Sequence, residues 1–418
     1  MSSYSLPKIS SMEQWQKTLA IVFFAQLISV VGFATIFPFL PLYVQSLGSR
    51  SSLSVEFLSG LVFSAQAFTM MIASPLWGAV ADRHGRKLMI ERAMFGGAII
   101  VLLMGYVGSA EGLIVLRAIQ GAITGTLSAS NALIAATVPR HKMGFAMGLM
   151  QVALWGGVAV GPLIGGILAD AFGYRLSFVI TAVLLLIGGI LVWRGVHEEF
   201  VPPQESEGKR PSIIEGWKHV LTAPGVLGAF SIRFLSGLGQ VLIVPIAPLF
   251  VASLLPSDAP VNFYTGLIIG VGGAASTVTA IYLGRLGDRL GHRKILTVSA
   301  LAITIFYLPQ GLVTAAWQLF ILQALSGAAL GGIITALTAL LAQFTSPGEE
   351  GSVYGLDASL VSASRVFSPL IAASVAYWFS LRMAISLNAA IFFIVFLLTI
   401  WVLPKTQTDV LGEEVPAV

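Results

Sequence analysis

The feature that most limits what this chain can fold into is a stretch of apolar character long enough to cross a bilayer, repeated along almost its whole length. Near-continuous apolar runs cover about residues 18–45, 56–81, 88–109, 112–138, 143–170 and 174–195. After a polar interval they resume at 225–254, 262–284, 294–314, 316–345, 351–379 and 382–403. A helix of about 20 residues spans a hydrocarbon layer of about 30 Å, so each run is long enough. Within lipid every backbone N–H and C=O must be paired inside the chain, which leaves helices and closed barrels, and these runs lack the short alternation of barrel strands. The expected fold is an all-α membrane protein of twelve transmembrane helices. Solvation points the same way: 10% of the residues are charged and the mean hydropathy is +0.89, against about 25% charged in a soluble domain.

The basic residues orient the spans. With the N-terminus inside, the inner segments hold Lys8, Lys17, Arg83, Arg86, Lys87, Arg92, Arg140, Lys142, Arg194, Lys209, Arg210, Lys218, Arg285, Arg289, Arg293, Lys294 and Lys405, and the outer loops only Arg50, Arg175 and Arg382. That bias predicts both termini in the cytoplasm of a multi-pass protein of the cell membrane. It also accounts for the pI of 9.3 without nucleic acid as a partner. The first run, Leu19 to Val44, exceeds a signal-peptide core and has no clear cleavage site. Residues 196–224 are polar and of mixed charge. They read as a cytoplasmic linker, within which 211–221 form either a short surface helix or plain connection. The expected domains are a six-helix bundle over 1–195 and a second over 225–418.

The two bundles repeat one another at an offset of 206 to 207 residues. PFLPLYV at 38–44 matches PIAPLFV at 245–251, GAVADRHGRK at 78–87 matches GRLGDRLGHR at 284–293, and LRAIQGA at 116–122 matches LQALSGA at 322–328. Three widely spaced segments in one register predict pseudo-symmetric halves.

Three motifs carry a family resemblance. Gly78, Asp82, Arg83, Gly85, Arg86 and Lys87 lie between the second and third spans, and Asp288, Arg289, Gly291 and Arg293 form a second, degenerate copy. Glycine permits a tight reversal, and the cations suit an anionic inner leaflet. Arg117, Gln120 and Gly121 place a charge within the fourth span, where charge is costly and marks function by default. Gly157, Gly161, Pro162, Gly165 and Gly166 give the fifth span small residues four apart with a proline, suited to close helix packing and a bend. Together these resemble the major facilitator superfamily, whose six-plus-six parallel repeat works by alternating access. The resemblance implies a gating latch at the first motif, proton coupling through Arg117, and antiport by a drug-exporter type at the third. Positive-inside topology, a structural arginine and generic helix packing are the simpler readings of the same residues.

Polar residues within spans are expected to face the pathway: Gln26, Gln66, Arg117, Gln120, Asn131, Gln151 with Trp155, then Arg233, Gln240, Gln323, Asp357 and Arg365. Any single glutamine is as readily an interhelical hydrogen-bonding group. Phe33, Phe37, Phe63 and Phe68 are candidate aromatic walls. Asp357 and Arg365 are eight residues apart on one helical face, so Asp357 reads either as a titratable group beside Arg365 or as the partner of a helix N-terminus. Three arginines against one clear carboxylate within the spans favour an anionic amphiphile or a neutral lipophile over a cationic drug.

The expected function is thus a secondary active transporter, a proton-coupled antiporter exporting amphipathic small molecules such as drugs or lipid-like anions. A symporter or uniporter of sugars or organic acids is the alternative. No cofactor or metal is expected beyond the coupling ion, H+, and the partners are a small amphipathic substrate and membrane lipids, with a monomer sufficient. An enzyme is not expected, because His84, His141, His197, His219 and His292 all fall in loops or linker, and no phosphate-binding G-x-x-x-x-G-K-[S/T] loop occurs.

Overall fold

A computed structural model describes residues 13–198, 226–343 and 350–403, apart from the side chains at 79, 82, 342, 343, 350–352 and 354. The proposed linker helix at 211–221 and the Asp82 side chain therefore lie outside what is described. Among the described residues there are fourteen α-helices and no strand.

Proline breaks the first crossing of each half at the same place. Helix α1 (Gln14–Thr35) stops before the Pro38-x-x-Pro41 segment and resumes as α2 (Leu40–Leu47). Likewise α8 (Val226–Leu242) stops before Pro245-x-x-Pro248 and resumes as α9 (Ala247–Leu254), bent by 45°. A missing N–H and a fixed φ let proline begin a helix but not continue one. Helix α3 (Val55–His84) is capped by Ser54, whose Oγ accepts from Phe57 N at 3.3 Å. It reverses into α4 (Arg86–Met104) at Gly85, φ 96°. The second half repeats this with α10 (Val261–Leu290), Gly291 at φ 94° and α11 (His292–Tyr307). Only glycine takes that φ at low cost. Helix α5 (Ala110–Ile123) breaks at Thr124 and Gly125 into α6 (Thr126–Thr137), and α12 (Ala316–Gln343), α13 (Glu350–Trp378) and α14 (Leu381–Trp401) complete the second half.

Helix α7 (Met143–Gly195) is a hairpin of two helices turning at Gly173, φ 79°. Its contacts on α1 show the reversal: Gly157, Gly161 and Gly165 meet Val30, Ala34 and Thr35 in ascending order, whereas Gly188 and Gly195 meet Ile28 and Ile21 in descending order. Among the described residues nine helices are long and apolar enough to cross a membrane, or ten with the bent α8–α9 pair, when α7 is taken as one. The expected count of twelve differs at two places. One is the α7 hairpin, and the other is α4, whose Arg86, Lys87, Glu91 and Arg92 crowd its first two turns.

Each half has its own apolar cores. Two clusters, around Ile36, Phe39 and Phe178 and around Leu19, Met94 and Leu133, lie in the first; two more, around Ile303, Phe392 and Val395 and around Phe250, Ile268 and Ile385, lie in the second. The duplication is visible in the packing. Thr69 Oγ1 donates to the Ala118 carbonyl and Thr279 Oγ1 to the Ala328 carbonyl, each at 2.7 Å and each across 49 residues. This contact sits one helical turn beyond the 206-residue register.

The halves meet along α3 with α13 and α7 with α10. The described hydrogen bonds that join them are Ser64 Oγ to the Val366 carbonyl (2.6 Å), and Asn262 Nδ2 and Phe263 N to the Asp170 carboxylate (2.5 and 2.7 Å). All lie toward the end carrying the loops near residues 48–54 and 255–260, opposite the end rich in Lys and Arg. The seam continues down to Val158 and Ala159 against Gly273, about 16 Å along the helices. At the basic end no hydrogen bond or ion pair joins the halves among the described residues.

Candidate functional site

The small-residue ridge of α7 has two faces with different work. Gly157, Gly161 and Gly165 sit four apart on the face against α1; a methyl at Gly165 would stand 1.9 Å from the Thr35 carbonyl oxygen. Pro162 and Gly166 sit on the adjoining face and cross the seam. The Pro162 carbonyl oxygen lies 2.1 Å from where a methyl at Gly266 would stand, and the Asn262 carbonyl oxygen lies 2.2 Å from one at Gly166. Without a hydrophobic drive between helices in lipid, such backbone-to-backbone approach supplies the packing energy. The sequence flagged the glycines but not their partners Asn262, Gly266 and Asp170.

Above the basic end, the interior of the first half is built on Arg117. Its side chain is fully buried. Nη1 donates to Gln120 Oε1 at 2.8 Å and Nε to the Val62 carbonyl at 3.4 Å. The guanidinium lies 5.9 and 5.6 Å from the Phe33 and Phe63 ring centres, and Phe37 packs on both rings. Nη2 has no partner, nor do Gln66 Nε2, Gln26 Oε1 and Asn131 Oδ1. Buried polar groups are normally paired, so these side chains have hydrogen-bonding capacity left over. On α7, Gln151 is exposed and Trp155 half-buried.

The second half carries an ion pair. Arg233 on α8 donates Nε to Asp357 Oδ1 at 2.7 Å and Nη2 to Oδ2 at 3.2 Å, with both side chains about one-fifth exposed. Asp357 is therefore held by Arg233 across α8 and α13, rather than by Arg365 or a helix N-terminus; eight residues along one helix is a rise of about 12 Å, beyond contact. Arg365 is exposed and makes no hydrogen bond or ion pair among the described residues. Gln240 is half-buried. Gln323 packs on Gly272.

The loop motif and its copy make their described contacts inside their own halves. Glu198 accepts from Arg86 N (2.9 Å) and Lys87 N (2.7 Å), capping α4, while Lys87 Nζ donates to the Trp193 carbonyl at 3.0 Å. In the copy, Arg293 donates to the carbonyls of Thr399 (3.3 Å) and Ile400 (2.9 Å). Each cation thus caps the last helix of its half, where carbonyls concentrate negative charge. Arg83 and Arg289 are exposed, Asp288 faces His292 at 3.3 Å, and a methyl at Gly78 would meet open space. Arg92 stacks on Trp77 at 3.6 Å. Glu198 and Trp77 were not foreseen, since neither belongs to a repeated segment. Among the described residues no group of His, Asp or Glu is arranged to hold a metal.

The family model of the Major Facilitator Superfamily matches residues 22–255 and again 229–414. The multidrug resistance protein MdtG of Salmonella dublin is 34% identical over 378 residues, covering 90% of this chain and 93% of that one. MdtG of Enterobacter lignolyticus is 35% identical over 90% of both. Among solved structures, a bacterial homolog of the human lysosomal transporter Spinster, inward-facing and unoccupied, superposes with a TM-score of 0.81 at 14% identity over 97% of this chain and all of that one. The nucleoside transporter NupG gives 0.76 at 12% identity over 93% and 98%.

Proposed function

The chain belongs to the major facilitator superfamily, and we propose that it is a secondary active multidrug exporter, a proton-coupled antiporter that carries amphipathic small molecules between its two halves. The observation that carries this reading is the one-ended seam. The halves are clasped through Asp170, Asn262, Ser64 and Val366 at one end, and among the described residues no hydrogen bond or ion pair joins them at the other, around an interior with partnerless polar groups. A site between two rocking repeats needs this asymmetry in any one state. Kinship with multidrug resistance proteins over nine-tenths of the chain supports efflux over sugar or organic-acid uptake.

The excess of Lys and Arg supports a cytoplasmic location for the end opposite the clasp. Both termini then lie on the cytoplasmic side of the cell membrane, and the one-ended seam corresponds to an inward-open state. In this reading the protein works without a cofactor or catalytic group and takes its energy from the proton gradient. Its partners are its substrate and the surrounding lipid, and one chain suffices because it holds both halves. The test is transport by the purified chain in proteoliposomes under an imposed pH gradient, with ethidium and 8-anilinonaphthalene-1-sulfonate as probes. Probe movement opposite to the proton flux, abolished by a protonophore, is expected. Movement indifferent to the gradient, or in the same direction as the protons, overturns antiport.

A further inference from the structure

We propose that Arg365 is the anion-binding residue of the cavity between the halves, so that the preferred cargo carries a carboxylate, sulfonate or phosphate on an apolar body. This rests on the export reading for its setting and goes beyond it in naming the charge of the cargo.

The interior cations are satisfied in different ways. Arg117 is enclosed by Gln120, the Val62 carbonyl and two phenylalanine rings. Arg233 is held bidentately by Asp357, so that these two charges cancel. Arg365 has no such partner among the described residues, although it sits at the middle of the 29-residue α13. An unpaired charge at membrane depth is costly and is kept where a pathway uses it.

Helix geometry shows where Arg365 points. At 100° per residue, Asp357, Ser364 and Ser368 share one face of α13, and that face packs on α8: Asp357 through Arg233, Ser368 through the Leu238 carbonyl at 2.6 Å, and Ser364 against Gly237. Val366, Pro369 and Ala373 share another face, packed on Ser64 and Gly60 of α3 in the other half. Arg365 falls in the sector between those faces and is exposed there, on the line where the halves part. The nearby Arg233 is neutralised by Asp357, which leaves the Arg365 guanidinium as the charge without a counter-ion in this sector among the described residues. A guanidinium presents a planar fork of donors that matches carboxylate, sulfonate and phosphate oxygens.

The test uses two probes that share an aromatic body, 8-anilinonaphthalene-1-sulfonate and the uncharged N-phenyl-1-naphthylamine. Their affinities for the purified full chain are read by fluorescence, with monodispersity checked for every variant. Arg365→Gln should lower the ratio of sulfonate to neutral affinity at least tenfold, about the worth of a hydrogen-bonded charge. Arg365→Lys should keep most of the ratio. Asp357→Asn, which releases Arg233, should raise it. A ratio unmoved by Arg365→Gln, or wild-type protein that binds neither probe or prefers ethidium to the sulfonate, overturns the proposal. Intact binding ratios without gradient-driven transport would sink the export reading and leave this one standing.

Discussion

Replacing Gly166 by alanine should open the clasped end of the protein, whereas the same change at Gly165 should not. The added methyl at Gly166 would stand 2.2 Å from the Asn262 carbonyl oxygen and 2.9 Å from the Phe263 Cα, all backbone of the other half. Ordinary contact begins near 3.4 Å, so α7 and α10 must separate by about 1 Å, an overpacking cost of about 1–3 kcal/mol. The state that suffers is the one with the seam shut. That energy shifts the equilibrium roughly 5- to 150-fold toward the state with the seam open. The methyl at Gly165 meets Thr35 of α1, within its own half, so its strain is present in both states and appears as lost stability. The chain has no cysteine, so spin labels at Ser51→Cys and Ser257→Cys report the gap at the clasped end without background. Double electron–electron resonance should show a longer-distance population growing in Gly166→Ala alone. An unchanged distribution in Gly166→Ala, or an equal shift in Gly165→Ala, would refute the reasoning.

Three further outcomes are expected. In a double-mutant cycle, Arg233→Gln and Asp357→Asn should couple by about 1–3 kcal/mol in thermal stability, because each single change strands a partly buried charge and the pair does not; additive effects would contradict the bidentate pair. Gln120→Leu removes the one side-chain acceptor of the buried Arg117 and should lower stability by about 1.5–3 kcal/mol, while Gln120→Glu should not; melting curves in one detergent decide. Glu198→Ala should cost about 0.5–2 kcal/mol as a lost helix cap and speed amide exchange at Arg86 and Lys87, and unchanged exchange there would rule out the cap.

Much of the architecture was legible because it rests on local chemistry. Glycine at 85 and 291 announces the reversals and one register links the halves. The Pro-x-x-Pro segments stand in the sequence only as repeat matches, and the break they impose on each first crossing falls inside an apolar run that reads as continuous. What pairs across long separations was not legible. The four-residue spacing of Gly157, Gly161 and Gly165 predicts close approach but does not name α1, and nothing in the sequence assigns Pro162 and Gly166 to the other half. Asp357 looked closest to Arg365, eight residues away, yet its partner Arg233 lies 124 residues off. The resemblance implies a gating latch at the loop motif; what the sequence did not show is that its described contacts reach the ends of its own bundle, through Glu198 and Trp193 in one copy and Thr399 and Ile400 in the other. Which end is clasped is a property of one state of a moving protein, and a sequence encodes all its states together.

The most direct test is to fasten the clasped end and ask whether transport stops. Asp170→Cys and Asn262→Cys place thiols where the side chains already touch, and a short thiosulfonate cross-linker joins them. Cross-linked protein in proteoliposomes should lose gradient-driven transport and regain it on reduction. Undiminished transport with the bridge complete would mean that solute does not pass between the halves at that seam.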